Sequence, residues 1–164
     1  MNNATITIVR TTIDEWSELR AIRLESLANT PEAFGTTYVD AKRWSDDHWR
    51  QLASLRISFL AQNDGRTVGL ASGGLNDDVP GTKWLYAMYV TPPLRGSGVA
   101  AALVDVVGEW ARLEGATSLY LMVRSAVPRA RAFYEKIGFQ PTGDVALDDD
   151  DPTKSMITMA KNLD

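Results

Sequence analysis

The sequence predicts a mixed α/β domain: a sheet of six to seven strands with about four helices, in the order β-α-α-β-β-β-α-β-α-β-β. Three observations carry this. Two β-rich runs flank Asp64-Gly65, a strong hairpin signal. Val99, Leu103, Val106 or Val107, Trp110 and Leu113 recur at helical spacing. The next run, Ser118 to Val123, is apolar almost throughout, as a strand buried on both faces is.

The elements follow in order. Thr5 to Arg10 alternates and is β-branched, so it opens the sheet. Asp14 is placed to cap a helix through about Leu27, which Asn29-Thr30-Pro31 ends. Residues 32–42 carry no clear periodicity; Ala33, Phe34 and Tyr38 suit a pocket wall. Ser45 caps a second helix with Trp49, Leu52 and Ala53 inward. Ile57–Asn63 and Thr67–Leu75 form the hairpin, Asn76–Gly81 a loop, and Lys83–Val90 the following strand. After the long helix, Gly115 marks the stop and Ser118–Val123 completes a strand-helix-strand unit. Pro128 suits the first turn of a further helix that Gly138 ends. Phe139 starts another strand, and Lys154–Ala160 closes the sheet.

Composition narrows the function. With 164 residues, 45% of them hydrophobic, the chain supports one domain, 1–164, with a real core. A net charge of −4 argues against nucleic-acid binding through phosphate neutralisation. There is no Cys, which removes thiolate metal sites and a thiol acyl-enzyme and fits a cytoplasmic setting. The one histidine, His48, lies in an acidic polar run, so no metal site is expected. No signal peptide or membrane-length apolar run is visible.

Chemistry concentrates at Val90-Thr91-Pro92-Pro93-Leu94-Arg95-Gly96-Ser97-Gly98-Val99-Ala100. Two glycines allow a sharp turn and close backbone approach. The helix that follows offers free N–H groups and the positive end of its dipole, and Arg95 adds a guanidinium; together they suit a pyrophosphate. The same glycines match a loose dinucleotide fingerprint, but Thr91 to Leu94 separates them from the strand and no acid ends the next strand. No Gly-Lys-Ser/Thr follows, which excludes a P-loop.

Val90-x-Pro92-x-x-Arg95-Gly96-x-Gly98-x-Ala100 resembles the acetyl-CoA-binding motif of the GNAT N-acetyltransferases. Ala130-x-x-Phe133-Tyr134-Glu135-Lys136-x-Gly138-Phe139 resembles the next motif of that family, at its usual separation. Arg23-Leu24-Glu25-Ser26-Leu27 with Pro31-x-Ala33-Phe34-Gly35 is similar to a recurring N-terminal pattern, so the resemblance spans nearly the whole chain. It implies an acetyl-CoA-dependent transferase acting on a small-molecule or peptide amine, and it is compatible with a homodimer. It implies that the amides of Arg95, Gly96, Ser97, Gly98, Val99 and Ala100 hold the pyrophosphate. Main-chain groups of Met88 and Val90 would pair with the pantetheine arm between splayed strands. Tyr134 would lie near the sulfur as its proton donor. Val127 stands where the family often has Asn, with Ser125 the nearest polar substitute.

A lysine-like amine is neutral in roughly one molecule in a few thousand at pH 7, an α-amine in roughly one in ten, so a base matters most for the former. The acid that family members often carry on the strand before Val90 is absent from Trp84 to Tyr89, so either a carboxylate elsewhere, Glu25 first, acts through water, or no single base exists. Phe34, Tyr38, Trp44, Trp84 and Tyr86 are candidates for the acceptor pocket. The run Asp148 to Asp151 is either a solvated turn or a lure for a cationic amine. The alternative function is a non-catalytic acyl-CoA sensor or scaffold.

Overall fold

The computed structural model describes residues 5–75 and 81–164; Asn76 to Pro80 of the expected loop, and Met1 to Ala4, lie outside the described residues. Seven strands form one sheet in the order β1-β2-β3-β4-β5-β7-β6. They are β1 (Ile6–Arg10), β2 (Ile57–Asn63), β3 (Arg66–Leu75), β4 (Thr82–Val90), β5 (Ser118–Arg124), β6 (Gln140–Ala146) and β7 (Met156–Asn162). The helices are α1 (Trp16–Asn29), α2 (Tyr38–Lys42), α3 (Asp46–Leu55), α4 (Val99–Leu113) and α5 (Pro128–Lys136). The hairpin between β2 and β3 turns at Asp64 and Gly65, both at positive φ (50° and 77°), the conformation a two-residue turn of this hand demands.

Two local expectations change. Thr12, not Asp14, caps the first helical segment. The Thr12 side chain accepts from the Asp14 N–H, and Glu15 accepts the Thr12 N–H in return at 2.6 Å. Thr-x-x-Glu is the reciprocal cap in which two orphan donors are satisfied at once, so it prevails over a lone Asp. The uncertain stretch holds a fifth helix, α2, whose N-cap Thr37 accepts from the Asp40 N–H. At five residues it is too short to display an apolar period.

Helix α4 covers one face of the sheet. Leu103, Val104, Val107 and Trp110 are buried there in one cluster with Ala71, Leu85, Leu119 and Leu121. The fit is close at Gly73, where a Cβ would stand 2.4 Å from the Trp110 ring. The other face is covered over β2 to β4 by α1 and α3, with Leu19, Ile22 and Ala53 against Leu60, Leu70 and Tyr89.

The sheet is divided along the line between β4 and β5. These strands are parallel, and they pair only through Thr82, Lys83 and Trp84 with Ser118, Leu119 and Tyr120. Beyond that, β4 stays with β3 as far as Val90, and β5 stays with β7 as far as Arg124. The two halves therefore diverge toward the C-terminal ends of both strands. A β-bulge accompanies the divergence: Leu70 faces Tyr89 and Ser72 faces Tyr86, so Ala71 is opposed by both Ala87 and Met88. Ala87 takes φ +54°, a conformation that costs a residue with a Cβ roughly 1–2 kcal/mol.

Candidate active site

At the open end of the wedge, β4 passes through a single helical turn at Pro92–Leu94 into Arg95, Gly96, Ser97 and Gly98, and then into α4. Gly96 and Gly98 have φ of +78° and +94°, and no atom lies within 4 Å of where either Cβ would be. Gly98 is the N-cap of α4, and no side chain caps the helix. The first amide at this end to find a partner is Ala102, on the Gly98 carbonyl at 3.0 Å; those of Val99, Ala100 and Ala101 have none among the described residues. Ser97 turns away from the helix: its hydroxyl and its amide both donate to the Leu94 carbonyl. A fifteen-residue helix thus presents bare donors and its dipole to an open, glycine-walled hollow. The Arg95 Nε donates to the Val90 carbonyl at 3.1 Å, which fixes the exposed side chain across the strand end. Thr91 N–H bonds Val68 on the β3 side, so by alternation Val90 turns its own N–H and carbonyl toward the wedge.

A cleft of about 1080 Å³ runs beside the wedge. Ala87 and Met88 line it from β4, Leu121 to Arg124 from β5, Val127 from the cap of α5, and Ala130 and Tyr134 from α5 itself. The loop Arg95–Ala100 lies beyond this lining, on the surface except for Val99 and Ala100. Tyr134 is 8% exposed and wedged edge-on between Phe133 and Phe139, with ring centres 5.2 and 5.6 Å away. Burial pushes its phenol above the ordinary value. Val127 lines the cleft with an apolar side chain. The Ser125 hydroxyl, the nearest polar candidate, donates to Ser155 O at 3.1 Å and keeps only its acceptor lone pairs for another partner.

On the acceptor side, Phe34, Trp44 and Tyr86 line the cleft. Tyr38 and Trp84 stand apart from it: Tyr38 packs near Trp49 under the Lys42 ammonium, and Trp84 stacks with Tyr86 and Tyr120. Glu25 is exposed and outside the lining. It lies beside the Tyr89 hydroxyl, which also accepts from Asn29 Nδ2 at 3.0 Å. Burial, and then the Glu25 carboxylate, raise the Tyr89 phenol against the lowering effect of Asn29.

Sequence reasoning missed the charge of this pocket. Arg10, Arg23, Arg56 and Arg124 all line it, from β1, α1, the end of α3 and β5. Among the described residues its one carboxylate is Glu114, past the end of α4. Arg23 stacks over Phe34 at 4.5 Å; desolvation, and then Arg56, push its guanidinium down to about 10. Arg124 Nη2 donates to the Phe34 carbonyl at 3.1 Å and ties the segment after α1 to the tip of β5. The acidic run is spent on its own loop: Asp148 accepts from the amides of Asp150 and Asp151, and Asp151 caps the turn at Thr153.

A model of the acetyltransferase (GNAT) family matches residues 16–139. An uncharacterized N-acetyltransferase of Mycobacterium tuberculosis is 36% identical over 110 residues, which are 65% of this chain and 68% of that protein. An aminoglycoside N(6')-acetyltransferase of Stenotrophomonas maltophilia is 30% identical over 138 residues, covering 71% of this chain and 90% of that one. Among solved structures, an acetyltransferase of the GNAT family from Streptococcus pneumoniae has a TM-score of 0.76 at 19% identity, over 96% of this chain and 99% of the other. A Salmonella typhimurium protein solved with its cofactor acetyl-CoA also gives 0.76 at 18%, over 98% and 95%. Among the described residues no group of acids and histidines is arranged to hold a metal, and no helix is long and apolar enough to cross a membrane. With a family match over most of its length, the chain belongs to the GNAT acetyltransferases and is an acyltransferase.

Proposed function

We propose that this enzyme transfers the acetyl group of acetyl-CoA to a primary amine by direct attack in a ternary complex. The observation that carries the reading is the ladder between β4 and β5, which ends at Trp84 and Tyr120 and leaves a wedge running from the bare amides of α4 to Tyr134. These parts fit the donor. Amides from Gly98 to Ala101 suit its diphosphate, the Val90 N–H and the Met88 main chain suit its amide-bearing arm, and the cleft receives its end. Acetyl-CoA supplies an activated acyl group as a thioester.

In the reaction a C–N bond forms and the C–S bond breaks, so one proton must leave the amine and one must meet the sulfur. Tyr134 is the group placed to serve the sulfur, since its hydroxyl is neutral and has no partner among the described residues. On the amine side, Glu25 reaches the cleft only through solvent, given its exposed place beside Tyr89. The amine's proton therefore leaves to solvent water, and the arginines act on the equilibrium rather than as acceptors. Four guanidiniums around the cleft disfavour an ammonium there and so increase the neutral, nucleophilic fraction of a bound amine.

The same reading takes residues 1–164 as one cytoplasmic acetyltransferase domain acting on a small-molecule or peptide amine. The test is titration with acetyl-CoA by calorimetry, then thiol release over a panel of amines. Saturable binding with amine-dependent thiol release is expected. Binding without release on any amine would make the chain an acyl-CoA sensor instead, and no binding would end the proposal.

A further inference from the structure

Resting on the acetyltransferase reading, we infer that the acceptor is an amine that also carries an anionic group, seated by Arg23 and Arg56 beside the aromatic wall of Phe34 and Tyr86. Four arginines line one cleft in a protein whose net charge is −4. The ion pairs among the described residues are Arg50 with Asp47, Arg112 with Glu109 and Arg131 with Glu135; none involves a cleft arginine. Arg124 feels the Asp151 loop at a distance without forming a pair, and its Nε is buried without a partner. Arg23 and Arg56 repel one another, and Arg23 is held mostly out of water against the Phe34 ring. Arg23 and Arg124 are half-buried and Arg10 and Arg56 exposed, and Glu114 is the carboxylate among the described lining residues; an anion seated between Arg23 and Arg56 would offset their mutual repulsion. A guanidinium fork matches a carboxylate or a phosphate, and both guanidinium and aromatic ring offer flat faces to an apolar body.

The position suits acyl transfer. Burial raises the Tyr86 phenol, Arg56 is close enough to oppose that rise electrostatically, and Tyr86 precedes the bulge residues Ala87 and Met88 at the wedge. An anion held at Arg56 therefore leaves an attached amine a short step from the split in the sheet. This inverts the expectation from the acidic run: the seat draws an anion, and the amine arrives as its neighbour on the same molecule.

The experiment compares matched acceptors under saturating acetyl-CoA. Phenylalanine is set against phenylalaninamide and phenylethylamine, which keep the body and lose the charge. Glucosamine 6-phosphate is set against glucosamine, which separates a phosphate preference from a carboxylate one. For at least one pair, kcat/KM for the charged member should exceed that for the neutral one by roughly ten- to a hundredfold, the scale of one charge-assisted contact. That ratio should fall below about threefold in Arg56→Gln or Arg23→Gln. Because the ratio is taken within one protein, a variant that folds in lower yield still reports it. A ratio near one in every pair, a ratio unchanged in both variants, or no turnover of any member while acetyl-CoA binds, would each overturn the inference. Failure to bind acetyl-CoA would bring down the transferase reading beneath it as well.

Discussion

Replacing Tyr134 by Phe isolates one hydroxyl. The ring contacts to Phe133 and Phe139 survive in the variant, and the hydroxyl has no partner to lose among the described residues. Stability should therefore change by less than about 0.5 kcal/mol, or roughly 2 °C in Tm for a chain of this size. The catalytic effect follows from acidity. A CoA thiolate has a pKa of about 8.5, while a free phenol is near 10 and burial lifts this one further. Complete proton transfer from Tyr134 to the sulfur is thus uphill by at least roughly 2 kcal/mol. What the phenol can supply is a hydrogen bond to the developing thiolate, worth about 1.5–3 kcal/mol. Removing it should lower the single-turnover rate of thiol release roughly ten- to 150-fold, with the acetyl-CoA Kd unchanged. The raised phenol stays protonated throughout the assay, so the ratio of wild-type to variant rates should be constant from about pH 7 to 10. In the folded state the raised pKa adds stability that is complete below about pH 10 and is lost as pH rises toward the folded value, a loss the variant lacks. A variant within threefold of wild type, or a rate ratio that collapses below pH 10, would refute the role.

Three further outcomes follow from the geometry. Gly98→Ala places a Cβ at φ +94° in open space, so it should cost about 1–2 kcal/mol of stability and raise the acetyl-CoA KM at least roughly tenfold; an unchanged KM would remove the cradle. Ala87→Gly relieves a strained φ of +54° at the expense of a more flexible unfolded chain, so calorimetry should find a net gain of about 0.5–1 kcal/mol; a lower Tm would mean that the bulge is not strained. Glu25→Gln should leave kcat/KM within about threefold and keep the acid limb of the pH profile, because Glu25 stands at Tyr89 and off the cleft wall; a larger, pH-dependent loss would return the base to Glu25.

How much of this was legible depended on how local the information was. The hairpin at Asp64-Gly65, the glycines before α4 and the stripe from Val99 to Trp110 are contiguous patterns, and each became the element its pattern implies. Helix α2 is too short for a period, and the Thr12 cap was present as Thr-x-x-Glu but masked by the neighbouring Asp14. The bulge at Ala87 carries neither Gly nor Pro, the usual marks of a positive φ, so nothing local announced it. The arginine cluster is the extreme case. Positions 10, 23, 56 and 124 share no segment and meet only because β1, α1, the end of α3 and β5 converge on one cleft. The acidic run shows the converse: four adjacent carboxylates attract notice in a sequence, while in the fold two of them, Asp148 and Asp151, accept the amides of a turn.

The wedge persists because neither edge is free to close it. From Trp84 onward β4 is committed to β3, and the two-for-one bulge at Ala87 and Met88 bends it away from the line it shared with β5. Strand β5 is committed along its whole length to β7, and the Arg124 bond to the Phe34 carbonyl pins its tip to the opposite half. An unpaired strand edge elsewhere is a hazard, since its amides invite another chain. Here the unpaired groups face the wedge between β4 and β5, where an extended, amide-bearing ligand can pair with them as an added strand does. On the proposed function, the strain at Ala87 and the repulsion between Arg23 and Arg56 share one reading: each stands where a ligand is proposed to bind, the acetyl donor at the wedge and the acceptor at the arginines.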